Sequence, residues 1–338
     1  MDKASWKIEP YDRSMKDEWD EFVAGSRNST FLFMRDYMDY HSHIFADNSL
    51  MGYRNGSLAA VLPANVFNGV LYSHQGLTYG GWVLPSRGPD VGDLHGLWIC
   101  WMKYCVLNQL ATIVYKPLPF IYASRPAQED LYLLFLCNSR IIRTDISTAI
   151  DLTCNPGFNK LQKRHLKKNS GKCRIEIIDW SDEKRIDEFH RLLSICLMER
   201  HTALPVHSDK ELKYLMARFP DHIRIWGALK EESDELLAGV VAYITENCVH
   251  CQYIATTEEG RKEDLLAPLF NEMITFYTDE GYRYFDFGTS NENNGRLLNT
   301  GLNRQKTSYG GTGVAYQQFE INAPSALGLL ENELWRPR

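Results

Sequence analysis

The sequence predicts an α/β protein of the α+β type, in which one unit of helices around a mixed, mainly antiparallel sheet is written twice in tandem. Three observations carry this. The second half runs strand, two helices, a meander of three strands, a long amphipathic helix and a further strand. The first half repeats that order roughly 170 residues earlier, too long a period for a solenoid array. The 338 residues, 44% hydrophobic and 12% aromatic, suffice for two domains with cores of their own.

In the first half a strand near Trp6 leads to helices over 15–24 and 34–45. Met34, Tyr37, Met38, His41, Ile44 and Phe45 share one face of the second helix. Segments 50–54 and 58–65 form a hairpin through Asn55-Gly56, a pair suited to positive φ at both central positions. Strands around 70–79, a helix over 94–108, a strand at Ile113, a helix over 128–137 and a strand over 141–152 complete the half. The apolar stretch 97–115 is not a membrane span. Lys103, Asn108 and Gln109 interrupt it, and its spacing changes from helical at Trp98, Trp101, Met102 and Cys105 to strand-like at 111–115.

The second half predicts a strand over 173–179, helices over 183–201 and 208–219, and strands over 222–229, 236–245 and 248–256. A helix over 264–280 follows, with Leu265, Leu266, Leu269, Phe270, Met273, Ile274 and Tyr277 on one face. A strand over 283–287, a short helix over 295–302 and a strand over 313–321 close the pattern. The expected domains are 1–155 and 156–323, with 324–338 a C-terminal helix packed back on the first.

A net charge of −6 argues against a general polyanion binder. Residues 1–18 are polar, without a signal-peptide core, so a cytoplasmic location is expected. The eight cysteines are dispersed in mostly apolar patterns, which suits reduced core thiols. Cys248 and Cys251 sit three apart in a strand and point to opposite faces, so no metal site is expected from them. One basic run contains no acid: Lys160, Lys163, Arg164, His165, Lys167, Lys168, Lys172 and Arg174. It reads as a solvated helix face or as an attraction for a polyanion such as transfer RNA.

The last third reads Tyr284-Phe285-Asp286-Phe287-Gly288, then Asn294-Gly295, then Lys306-Thr307-Ser308-Tyr309-Gly310-Gly311. Together with the element order, this series resembles the C-terminal signature of the FemAB-like acyltransferases, a branch of the GNAT superfamily. The resemblance implies two tandem GNAT-like domains, with the chemistry in the second and the first shaping the acceptor cleft. It implies N-acyl transfer from acyl-CoA or acetyl-CoA to an amine of a small molecule or cell-envelope precursor. A charged transfer RNA is the alternative donor, and a binding module without turnover is the alternative to an enzyme. No metal is implied. Such chemistry rests on positioning and oxyanion stabilisation rather than a covalent nucleophile.

Asp286, a carboxylate among aromatics, is either a hydrogen-bonded anchor or a site group. Glu199 and His201 join it as candidate proton acceptors. Arg200, His207, Tyr253, Thr289, Ser290, Asn294, Lys306 and Tyr309 are expected to contact substrate, Lys306 as a point charge before a glycine turn. By the resemblance the donor lies in the wedge between 250–256 and 284–288, with Thr256, Gly260, Arg261 and Lys262 toward its phosphates. The loop 256–264 has one glycine and four carboxylates. It departs from the spaced glycines that cradle a pyrophosphate, and its acids are expected to repel one.

Overall fold

The structure is a computed structural model that describes residues 5–169 and 171–332, the side chains of Arg200 and His201 excepted. Packing divides the chain into two compact units. One takes the chain up to Asp145, then Asn294–Arg296 and the stretch from Ala315 onward; the other takes Ile146–Asn293 and Leu297–Val314. The division differs from a single cut at 155 because the strand Thr312–Asn322 starts in the second unit and continues into the first.

In the first unit the strands Trp6–Pro10, Leu50–Arg54 and Ser57–Leu62 form an antiparallel sheet. Asn55 and Gly56 close the hairpin at φ 50° and 85°, as the dipeptide predicts. The strand predicted over 58–65 breaks at Pro63, which has no N–H to give, and resumes as Asn65–Phe67. That segment joins Val70–Tyr72, Thr112–Tyr115 and the later part of Thr312–Asn322 in a second sheet. The helix Val91–Leu107 is capped by Asp90 and Asp93 in a capping box and buries Leu97, Trp98, Trp101, Met102 and Cys105. The helix Ala323–Glu331 adds Ala323, Ala326 and Leu330 to the same core. Residues 333–338 of the expected C-terminal helix lie outside the described residues.

The helix predicted over 34–45 is only Arg35–Asp39. Beyond it Ser42 N–H bonds Asp39 and Ile44 N–H bonds His41, a tightened turn over Tyr40-His41-Ser42-His43, residues with weak helix preference.

In the second unit the sheet order runs from the end of Arg140–Asp151 through Tyr284–Thr289, Cys248–Thr256, Leu236–Ile244, Ile223–Lys230 and Cys173–Ile178. The helices Glu183–His201 and Asp209–Arg218 keep their predicted bounds within a residue, each started by a side-chain cap, Asp182 and Ser208. The helix Leu266–Asp279 buries its predicted apolar face against the sheet. The short helix predicted over 295–302 begins later, at Thr300–Ser308. Asn293, Asn294 and Gly295 all have positive φ and turn a small hairpin between Asn291–Glu292 and Leu297–Leu298, and Asn299 then caps the helix. Among the described residues no helix is long and apolar enough to cross a membrane.

Candidate active site

Tyr284–Thr289 and Cys248–Thr256 run parallel but pair over three registers only, Cys248 with Tyr284, Val249 with Phe285 and His250 with Asp286. Beyond that point they part, and a bulge at Gln252 breaks the alternation of the second strand. The wedge therefore opens at His250 and Asp286. Register neighbours on parallel strands share a face, and here their side chains meet: His250 Nδ1 lies 2.7 Å from Asp286 Oδ2.

Asp286 is fully buried. Its other oxygen accepts from Ser147 Oγ at 2.5 Å and from the Gly288 N–H at 3.1 Å. Charge-assisted bonds of this kind make a buried carboxylate tolerable. Gly288 bends the strand at φ 78°, and a Cβ there would stand 3.3 Å from His250 Cε1, so the glycine permits both the turn and the imidazole. With Nδ1 donating to Asp286, the basic nitrogen of His250 is Nε2. The sequence reading did not single out His250 or Ser147.

Lys306 sits in the last turn of the helix Thr300–Ser308, before the turn at Gly310. It is buried and donates to the carbonyls of Gly288 at 2.8 Å and Thr289 at 2.7 Å, holding the strand end behind Asp286. Burial pushes its ammonium down to about 8, against the opposing pull of Asp286. Burial also pushes the Cys251 thiol well up, and the Asp286 charge adds to that.

His207 and Tyr253 form a second pair, Nδ1 to Oη at 2.6 Å, and His190 Nε2 lies 3.0 Å from the His207 carbonyl. Burial raises the Tyr253 phenol. Thr289 is exposed, and its carbonyl serves Lys306. Ser290 is held by backbone bonds to Ile146 and Asn299, and its hydroxyl is buried without a protein partner. Asn294 belongs to the first unit and accepts from Arg143 at 3.3 Å. Tyr309 is core: its ring packs on Phe270 at 5.0 Å, Phe158 at 5.1 Å and Phe287 at 5.7 Å. Glu199 has a side chain 55% exposed, 3.7 Å from Arg261, so it lacks the desolvation a carboxylate base needs. The Arg200 and His201 side chains lie outside the described residues.

The expected phosphate loop is turned in on itself. Thr257 caps the helix Glu258–Lys262 and takes the Gly260 N–H at 3.0 Å. A Cβ at Gly260 would come 2.4 Å from the Leu237 carbonyl, so this glycine exists for packing. Arg261 donates to the Thr256 carbonyl at 3.3 Å, and Lys262 pairs with Glu258 at 2.8 Å. These residues do not fit a pyrophosphate cradle. Nor do the four carboxylates simply repel, as the sequence suggested: Glu259 meets Lys230, Glu263 meets Lys172, Asp264 meets His165, and Glu258 meets Lys262. The basic run accordingly spends His165 and Lys172 on this loop and Arg174 on Glu176 and Asp234. Lys160, Lys163, Arg164, Lys167 and Lys168 remain exposed on the helix Lys160–Asn169. Among the described residues no three His, Cys, Asp or Glu side chains gather as a metal site would.

A family model described as an acetyltransferase (GNAT) domain matches residues 160–294. The fold is similar to that of FemX, at 12% identity with a TM-score of 0.66, over 96% of this chain and 100% of that one. It is also similar to L-PGS from Bacillus licheniformis, at 12% identity with a TM-score of 0.57, over 94% of each chain. The C-terminal domain of a putative lysylphosphatidylglycerol synthetase from Agrobacterium fabrum matches at 14% identity with a TM-score of 0.54, over 81% of this chain and 84% of that one. At these identities the likeness is one of fold, two tandem GNAT-like domains. No curated protein matches the sequence.

Proposed function

We propose that this FemAB-like chain of the GNAT acyltransferase superfamily is an N-acyltransferase whose second unit passes an acyl group from a thioester or ester donor to an amine. The observation that carries the reading is the His250–Asp286 pair at the point where the two parallel strands part. The amine nitrogen attacks the acyl carbon, the C–N bond forms and the bond to the leaving sulfur or oxygen breaks. The proton lost by the amine passes to His250 Nε2, and the leaving atom takes one up. Asp286 holds the imidazole in the productive tautomer and stabilises its charge, and Ser147 and Gly288 hold Asp286. Lys306 is a positioning residue that fixes the Gly288 and Thr289 carbonyls.

The acceptor is an amine of a small molecule or of a cell-envelope precursor. For the donor, acyl-CoA is the first reading, with its phosphates held elsewhere than by Thr256, Gly260, Arg261 and Lys262. The exposed cations of the helix Lys160–Asn169 favour a second, an aminoacyl ester of transfer RNA. Single-turnover assays with acyl-CoAs and charged transfer RNA against an amine panel separate the two. His250→Gln and Asp286→Asn are expected to lower the rate by roughly 10²–10⁴-fold with the fold intact. Full rate in both variants would remove the assignment.

A further inference from the structure

Each unit contains a parallel pair of strands joined over three registers. In the second unit the ladder ends at His250 and Asp286. In the first it pairs Val70 with Thr112, Leu71 with Ile113 and Tyr72 with Val114. The residues just past its end are Ser73 and His74 on one strand, Tyr115 and Lys116 on the other. The chain from Ser73 folds back over this point. Ser73 N–H donates to the Val114 carbonyl at 2.9 Å, Lys116 N–H to Ser73 Oγ at 2.7 Å, and Gly80 N–H to the Lys116 carbonyl at 2.9 Å. His74 is in the left-handed region, at φ 65°.

Two basic side chains are held there with fewer acceptors than they need. Lys116 is 7% exposed, and its ammonium, with three donors, gives one bond, to the Leu77 carbonyl. His74 is 4% exposed, and its Nδ1 is buried without a partner. The charges that act on His74 are Lys116 first, then Asp47 with the opposite sign, then Arg35 and His41, and Arg143 acts on Lys116. Asp47 and Arg35 are paired with each other, which leaves Lys116 the main charge on His74. Buried polar groups are almost always satisfied, and two adjacent basic ones without a carboxylate call for an acceptor from outside the chain.

We propose that His74 and Lys116 form an anion site in the first unit, which takes one carboxylate or phosphate group of a small ligand. This site is independent of the acyl-transfer reading. The backbone around the pair is closely packed: a Cβ at Gly80 would meet the Ser73 carbonyl at 2.0 Å, and one at Gly76 would meet the Phe45 ring at 2.4 Å. Burial, then Lys116, pushes His74 down to about 3, and burial, then Arg143, pushes Lys116 down to about 7. An anion favours the charged forms, so binding takes up protons and weakens as pH rises past neutrality.

The test titrates the whole protein with inorganic phosphate and with acetate, each against sodium chloride at equal ionic strength, at about pH 6 and about pH 8.5. The readouts are the ¹⁵N resonances of the His74 imidazole and the thermal midpoint. The expected result is a saturable shift of His74, roughly tenfold weaker at the higher pH. Phosphate alone shifting it marks a phosphorylated ligand, and acetate alone a carboxylate. His74→Asn, which suits the left-handed backbone, and Lys116→Met are each expected to lose the stabilisation at least tenfold in affinity. If Lys116→Met does not fold, His74→Asn and the wild-type resonance decide. A His74 resonance unmoved by both anions, or His74→Asn stabilised like wild type, overturns the proposal.

Discussion

The two oxygens of Asp286 serve different partners, one the imidazole of His250 and the other Ser147 and the Gly288 N–H. Ser147→Ala removes one donor from the carboxylate that orients the imidazole. The kcat is expected to fall about tenfold with KM little changed, and Ser147→Thr to restore it. An unchanged kcat would count against Ser147 as a positioning group. Lys306 carries a pH signature of its own. Its folded value, about 8, lies below that of an unfolded lysine, so between the two the unfolded chain binds more protons and stability rises with pH. Below about 8 both states are protonated, and the cost of burying the charge is present in full. Denaturant midpoints at pH 7 to 10 are expected to climb more in wild type than in Lys306→Met. Asp286 was legible in the sequence as a lone carboxylate among aromatics. His250 and Ser147 were not, because they lie 36 and 139 residues away and only the sheet register brings them to it.

Elements were legible where periodicity was long and blurred where turn chemistry decided. Glu183–His201 follows from its apolar face and its Asp182 cap, and Leu266–Asp279 from its apolar face alone. The stretch 34–45 has a helical apolar face yet stops at Asp39, and 295–302 yields to Asn293, Asn294 and Gly295 with positive φ. In both, local turn preference outweighs the pattern of hydrophobic residues. The loop 256–264 shows the complementary limit, since its acids read as bare charge until Lys230, Lys172, His165 and Lys262 are placed beside them. Such exposed pairs, screened by solvent, add little to stability. Their larger effect here is to commit Lys262 within the loop, as the Thr256 carbonyl commits Arg261.

At the scale of the whole molecule the duplication was readable from element order, and the course of the chain through the two units was not. The first unit draws on residues from Ala315 onward, and Phe319, Ile321, Ala323, Ala326 and Leu330 are part of its core. A fragment ending at residue 155 is expected to lack a cooperative thermal transition, and adding 315–332 through a flexible linker to restore one; calorimetry on both fragments checks this. The same feature sets an order of events during synthesis. The second unit has all its residues once Val314 is made, whereas the unit begun first waits for the last strand and helix. At bacterial or eukaryotic translation speeds that wait is on the order of ten seconds. Through it, the half-built N-terminal sheet holds an open strand edge and an uncovered apolar helix, the part of the nascent chain with most need of a chaperone.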